Sequence, residues 1–171
     1  MLRYRGGERG AFETLYGRHK DALYRYLLRG CARPEIAAEL FQEVWASLIR
    51  SRERYEPRAK FTTWLYRLAH HRLIDHLRLA PRAPQALDEI VEPAAAEHER
   101  PDAQALASER GARLHAALAA LPLEQREAFL LHEEGELTLE QIADITGVGR
   151  ETVKSRLRYA LVKLREALAD V

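Results

Sequence analysis

Arg150, Lys154 and Arg158 follow one another at four-residue steps, which lines three cations along one face of a helix. Such a ladder suits the phosphates of a duplex, because each bound cation releases a condensed counterion. A second set, Arg67, His71, Ile74 and Arg78, is spaced four, three and four apart and makes another stripe that can track phosphates. Beside it, Trp64 and Tyr66 offer rings for stacking or wedging against bases, although burial tendencies make Trp64 a core residue first. His70, His71, Asp75 and His76 raise metal chemistry. Zinc needs three or four converging ligands, and His76 points away from His71 on a helix, so no metal is assigned. There is no glycine-rich phosphate loop and no nucleophile elbow, and paired carboxylates occur only on exposed helical faces. These residues predict binding, not catalysis, with no cofactor.

Bulk charge does not carry that binding. The net charge is +1, so recognition of nucleic acid must rest on local segregation of cations. Of the 171 residues 47% are hydrophobic, enough for a packed core and too many for a disordered chain. The single cysteine, Cys31, permits no internal disulfide and fits a reducing compartment. The first residues, MLRYRGGERG, lack the apolar centre of a signal peptide, and no apolar run reaches about 20 residues. A soluble, cytoplasmic protein with no membrane insertion is expected.

The elements that position the cations are helical. Phe12, Leu15, Tyr16, Leu23 and Leu27 recur at helical spacing. After Pro34, Ile36, Leu40, Val44 and Leu48 repeat every fourth position, with Phe41 and Trp45 beside them. SRERYEPRAK reads as a loop, after which Thr62 or Thr63 offers an N-cap for a helix carrying Trp64, Leu65, Leu68, Ala69 and Leu73 on one side. From Pro81 the chain turns acidic and is broken by Pro81, Pro84, Pro93 and Pro101, the signature of a solvated linker. Helices resume through Leu114, Leu118 and Leu121, stop at Pro122, and restart through Phe129 and Leu130 to Gly135. The fold class is all-α: two small helical domains over residues 8–80 and 107–171, joined by an acidic, proline-rich flexible linker over 81–106.

Thr138 can cap a helix whose inner face is Ile142 and Ile145, with small Ala143 allowing close approach. Gly147 supplies the permissive backbone of a tight turn, Val148 tucks inward, and a second helix starts at Gly149. Val153, Leu157 and Leu161 then face the core, with the cation ladder opposite. Two short helices about a glycine turn, the second basic outside, make a helix-turn-helix. An ordinary helical hairpin with a solvated charged face is the competing reading, and the joint placement of cap, small residue, glycine and valine argues against it.

The chain resembles the extracytoplasmic-function (ECF) sigma factors of bacterial RNA polymerase from Phe12 to Leu168. ALPLEQREAFLLHEEGELTLEQIADITGVGRETVKSRLRYALVKLREAL looks like region four, which in that family recognises the minus-thirty-five element as duplex. The resemblance assigns upstream-element contacts to Arg150, Glu151, Thr152, Lys154, Ser155 and Arg158. ELFQEVWASL looks like the region-two helix that docks on core polymerase, which implies roles for Glu39, Leu40, Gln42 and Glu43. FTTWLYRLAHHRLIDHLR looks like the segment that melts and reads the minus-ten element as single strand, which implies Trp64, Arg67, His71 and Arg78. The linker then runs through a basic polymerase channel, and the implied partners are core RNA polymerase, duplex and single-stranded promoter DNA, and an anti-sigma factor.

Two departures stand out. The family usually has Asn where this chain has His71. It also usually carries a cluster of acids before LFQEV, where this chain has Ile36, Ala37, Ala38 and Glu39. Fewer carboxylates weaken steering toward a basic face of polymerase. Phosphorylation by a Ser/Thr kinase at Ser47, Ser51, Thr62 or Thr63 is one way to restore negative charge, and sufficiency of Glu39, Gln42 and Glu43 is the simpler one. The rival functional classes are a free-standing helix-turn-helix regulator and a protein-interaction module. The latter leaves the basic ladder unexplained.

Overall fold

The computed structural model describes residues 1–79 and 101–169, in which eight α-helices and one 3-10 turn occur and no strand. The first bundle holds α1 (Leu2–Arg5), α2 (Arg9–Cys31), α3 (Pro34–Arg50) and α4 (Phe61–Leu79). The second holds α5 (Pro101–Ala120), α6 (Leu123–Glu133), α7 (Leu139–Thr146) and α8 (Arg150–Ala169). Most of the acidic linker lies outside the described residues.

α2 stops where Ala32 turns left-handed at φ 56° and its N–H reaches the Leu28 carbonyl, 2.7 Å away. Two residues later Pro34 stands in the first turn of α3, where a missing N–H costs nothing. α3 buries Leu40, Val44 and Leu48 of the four-residue repeat seen in the sequence, together with Ala37 and Trp45, and leaves Ile36 half-buried. Gly30 lets α2 approach α4, since a Cβ there would lie 2.5 Å from Leu73 Cδ2. Phe12, Tyr16, Phe41 and Trp45 close one end as an aromatic cluster, with Phe12 stacked on Tyr16 and the Phe12–Trp45, Tyr16–Phe41 and Phe41–Trp45 pairs edge-to-face.

Several expectations are corrected. α4 begins at Phe61, and the Trp64 N–H bonds the Lys60 carbonyl at 3.3 Å, so Thr62 and Thr63 lie in its first turn and do not cap it. The segment read as a loop contains the 3-10 turn Arg52–Arg54 and anchors itself by burying Tyr55. Pro101 opens α5 instead of breaking structure, so the last residues assigned to the linker, 101–106, are helical. Proline is compatible with a first turn, which is why composition alone placed that boundary late.

The two bundles also pack on each other, which tethering alone does not require. Leu23, Tyr26 and Leu27 of α2 and Leu65, Tyr66 and Ala69 of α4 belong to the same buried cluster as Leu130, Leu131, Leu137 and Ile142. Polar groups stitch the seam. The Tyr66 hydroxyl donates to the Glu134 carbonyl at 2.6 Å, and the Glu134 carboxylate, itself buried, accepts from Arg25 at 3.0 Å and from Arg29. Gln141 Nε2 donates to Thr63 Oγ1 at 2.8 Å, and Arg67 pairs with Asp144.

Candidate nucleic-acid interface

The helix-turn-helix forms as its sequence dictates. Thr138 and Gln141 make a capping box: Thr138 Oγ1 accepts from the Gln141 N–H at 3.3 Å and Gln141 Oε1 accepts from the Thr138 N–H at 2.8 Å. Ile142 and Ile145 are buried beneath α7. Gly147 adopts φ 71°, and its N–H closes the helix on the Ala143 carbonyl at 2.9 Å. α8 then launches from Gly149, whose carbonyl accepts from the Val153 N–H at 3.1 Å.

On α8 the buried positions are Val153, Ala160 and Leu164, while Leu157 and Leu161 are half-buried at the margin. The expected Val153, Leu157, Leu161 stripe is therefore rotated slightly, as three-residue steps alternate with four-residue ones on a 3.6-residue period. Arg150, Glu151, Thr152, Lys154, Ser155 and Arg158 are all exposed, so the outer face is as expected. Its cations are partly spoken for. Arg150 pairs with Glu140 at 2.5 Å and Glu151 at 2.8 Å, and Lys154 lies 3.9 Å from Glu151. The Arg150 hydrogen bond holds the Glu140 carboxyl below the usual carboxylate range. Exposed pairs of this kind are screened by water and salt, so phosphates can displace them.

α4 presents a more mixed picture. His71 and Arg78 are exposed, and Arg67 is half-buried against Asp144. Ile74, placed in the same stripe, is 7% exposed and faces the core. Tyr66 is buried with its hydroxyl bonded, and burial pushes the phenol pKa up, so it is no base-stacking group. Trp64 is half-buried against Tyr55 and Phe61, with centroids 5.0 and 6.1 Å away. Its remaining edge lines a cleft of about 290 Å³ together with Arg54, Arg58, Thr63 and Arg67. Sequence reasoning missed Arg54 and Arg58 because they lie in an irregular segment with no period to align them.

On α3, Glu39, Gln42 and Glu43 are exposed and Glu43 lies 3.7 Å from Arg72. Leu40 is 5% exposed and belongs to the core, so it supports the outer face of α3 from beneath and is not itself a surface contact. Among the hydroxyls, Ser47 Oγ accepts from Arg50 at 3.1 Å and Arg72 at 3.3 Å, and Ser51 Oγ donates to the Ser47 carbonyl at 2.6 Å. Thr62 is half-buried. Thr63 is 1% exposed and bonded to Gln141, so no kinase reaches it in this arrangement.

Residues 15–82 match the family model for sigma-70 region 2, and residues 111–164 match that for sigma-70 region 4. All of the chain aligns with 97% of RNA polymerase sigma factor CarQ of Myxococcus xanthus at 32% identity. ECF RNA polymerase sigma factor RpoE of Cereibacter sphaeroides is 31% identical, over 95% of this chain and 88% of its own. The chain belongs to the ECF sigma factors. This sigma factor shares its fold with RpoE of Bartonella quintana, solved with the anti-sigma factor NepR, at a TM-score of 0.76 over 94% and 98% of the two chains and 20% identity. CnrH, solved with the cytosolic domain of CnrY, gives 0.73 over 99% and 96% at 20% identity. The sigma factor is therefore a transcription initiation factor that binds RNA polymerase and recognises promoters, not an enzyme. A free-standing regulator would leave the region 2 match without a purpose. Among the described residues no helix is long and apolar enough to cross a membrane, and no cluster of three potential metal ligands occurs.

Proposed function

We propose that this sigma factor divides promoter recognition between α8 and the α4 cleft, and docks on core polymerase through α3. The observation that carries the reading is the exposed ladder Arg150, Lys154, Arg158 on a helix aimed by a capped α7 and a left-handed Gly147. Glu151, Thr152 and Ser155 complete the face that enters the major groove of the upstream element. Single-stranded downstream DNA runs across Arg67, His71 and Arg78, with the exposed edge of Trp64 and the guanidinium groups of Arg54 and Arg58 receiving bases and phosphates. Glu39, Gln42 and Glu43 form the polymerase-facing surface over Leu40. Bounds of 8–80 and 107–171 for the two functional units, with the helix of the second extended back to Pro101, fit this division.

The cytoplasm is the place of action, since polymerase is there, and an anti-sigma factor is a fitting partner because the structurally similar RpoE of Bartonella quintana is captured with one. Added phosphate is best accommodated at Ser47, between the guanidinium groups of Arg50 and Arg72. Run-off transcription with core polymerase on genomic fragments tests the reading. Promoter-specific transcripts that require the sigma factor are expected. Tight duplex binding without polymerase, and no transcript with it, would restore the free-standing regulator.

A further inference from the structure

The cleft beside Trp64 is walled on one side by a segment with little to hold itself in place. Residues 51–60 join α3 to α4 through the 3-10 turn Arg52–Arg54 and Pro57, and they carry the Arg54 and Arg58 guanidinium groups into the cleft. Within the segment the Arg54 N–H bonds the Ser51 carbonyl at 3.0 Å, Tyr55 bonds Arg52 at 3.3 Å and Arg58 bonds Glu56 at 2.8 Å. Isolated turns of this kind open locally at small cost unless another element fastens them.

α1 supplies the fastening. Arg5 Nη1 donates to the Tyr55 carbonyl at 2.7 Å, a charge-assisted bond across 50 residues of sequence. The Arg52 guanidinium lies over the Tyr4 ring, 5.6 Å from its centroid. Tyr4 is in turn anchored on Phe12 of α2, with the ring centroids 5.2 Å apart. Gly7 turns the chain back at φ 88°, a backbone conformation that favours glycine. Arg3 grips Glu8 across that turn, Nε to Oε2 at 2.6 Å. The four residues of α1 are thereby folded onto the 3-10 turn.

Tyr55 carries the fastening to the cleft. Its ring is buried and meets Trp64 edge-to-face at 5.0 Å, and Trp64 itself lines the cleft. Arg54 and Glu56, the residues on either side of Tyr55, line the cleft as well, and Glu56 holds Arg58 at 2.6 Å. Fixing Tyr55 at both ring and carbonyl therefore fixes the arginines relative to the tryptophan.

We propose that α1 is a positioning strap for the downstream-reading cleft, in which Tyr4 and Arg5 hold residues 51–60 so that Arg54 and Arg58 face Trp64 and Arg67 before DNA arrives. The proposal rests on the promoter-reading role given above and adds to it two residues that touch no DNA. Both lie ahead of residue 15, where the match to sigma-70 region 2 begins. A cleft ordered in advance receives a flexible single strand without having to order its own wall, and the ordered fraction scales the apparent affinity.

Two measurements on the full chain test the strap. In the free protein, amide hydrogen exchange at Arg54, Tyr55 and Arg58 should be about tenfold faster in Arg5→Ala and in Tyr4→Ala, and unchanged in Tyr4→Phe, which keeps the ring beneath Arg52. Holoenzyme is then titrated with a forked DNA taken from the genomic promoter that gives the strongest run-off transcript, its downstream element single-stranded. Arg5→Ala and Tyr4→Ala should bind the fork about five- to tenfold more weakly, with Tyr4→Phe restored to the wild-type value. On the same DNA ending as a blunt duplex before the single-stranded part, all forms should bind alike, as they should to core polymerase. Unchanged exchange, faster exchange with no loss on the fork, or an equal loss on the blunt duplex would each overturn the proposal. A wild-type holoenzyme that yields no transcript would instead overturn the promoter-reading role on which the strap depends.

Discussion

Thr63 and Gln141 are joined by a hydrogen bond of 2.8 Å between helices that lie 78 residues apart in sequence. The same Gln141 side chain accepts from the Thr138 N–H, so one amide both caps α7 and fastens it to α4. Its two functions are separable. Gln141→Ala loses the side-chain half of the capping box and the seam bond together and should cost about 1–2 kcal/mol of stability. Thr63→Val loses only the seam bond and should cost about 1 kcal/mol. Urea unfolding of both variants and the double mutant measures this. Equal losses for the two single variants would mean the capping box contributes nothing.

Promoter binding by holoenzyme should weaken when an α8 cation is removed, most at low salt. Arg158, with no carboxylate beside it among the described pairs, stacks at 5.0 Å from the Tyr159 ring centroid. Arg158→Ala should lower the slope of log affinity against log salt by about 1. Arg150→Ala should lower it by less, since Glu140 and Glu151 already neutralise that side chain. Unchanged slopes for Arg150, Lys154 and Arg158 alike would remove α8 from the groove.

Two glycines should respond differently to a methyl group. Gly30→Ala drives a Cβ to 2.5 Å from Leu73 Cδ2, an overpacking that should cost about 1–3 kcal/mol and be partly relieved by Leu73→Ala. Gly147→Ala meets no neighbour within 4 Å and suffers only from φ 71°, about 1–2 kcal/mol that no second-site trimming recovers. Thermal melts of the two variants and the Gly30→Ala, Leu73→Ala double distinguish the causes.

Stability should show two opposed pH dependences. Burial and the neighbouring Glu124 push the Glu127 carboxyl up to about 7, against the attraction of Arg156, Arg126 and Arg78. The folded state then holds that proton more tightly, so stability is full below about 4.5, the unfolded value, and is lost as pH rises to 7. Burial, with the nearby charges of His71 and Arg78, lowers the His70 imidazole to about 4. There the unfolded state takes the proton first, so stability is lost as pH falls from about 6.5 toward 4. In the wild type the two trends offset. Glu127→Gln should leave stability rising with pH between 5 and 6.5 (about the shared window) and His70→Phe should leave it falling. Parallel profiles for both variants would refute the assignment.

Brief protease treatment should cut within residues 81–100, where prolines and acids alternate, and leave both bundles intact. Because the seam is buried and hydrogen-bonded, the nicked halves should co-elute on gel filtration and separate when Glu134→Gln is present. Cutting first between Leu114 and Leu131 would overturn the domain limits.

The local architecture of this protein was written in its sequence. A four-residue apolar repeat after Pro34, a Thr138 cap and a glycine at the left-handed turn after α7 each act within a few residues, so composition and period determined α3, α7 and the outward face of α8. Glu39, Gln42 and Glu43 were legible as exposed for the same reason. What covers a face is a different question. Ile74 was given a surface role from spacing, Tyr66 as a ring beside that stripe, Thr63 as a hydroxyl for phosphate and Leu40 from the family resemblance, and the structure buries all four, because a helical stripe fixes an angle about the axis and not which neighbour meets it. Arg67 finds Asp144 at a separation of 77 residues, and Glu134 finds Arg25 at 109. Those pairings depend on how two bundles close on one another, a long-range choice made by burial of shared apolar surface. No local propensity encodes it, so only the tertiary structure could bring Arg67 and Asp144 together.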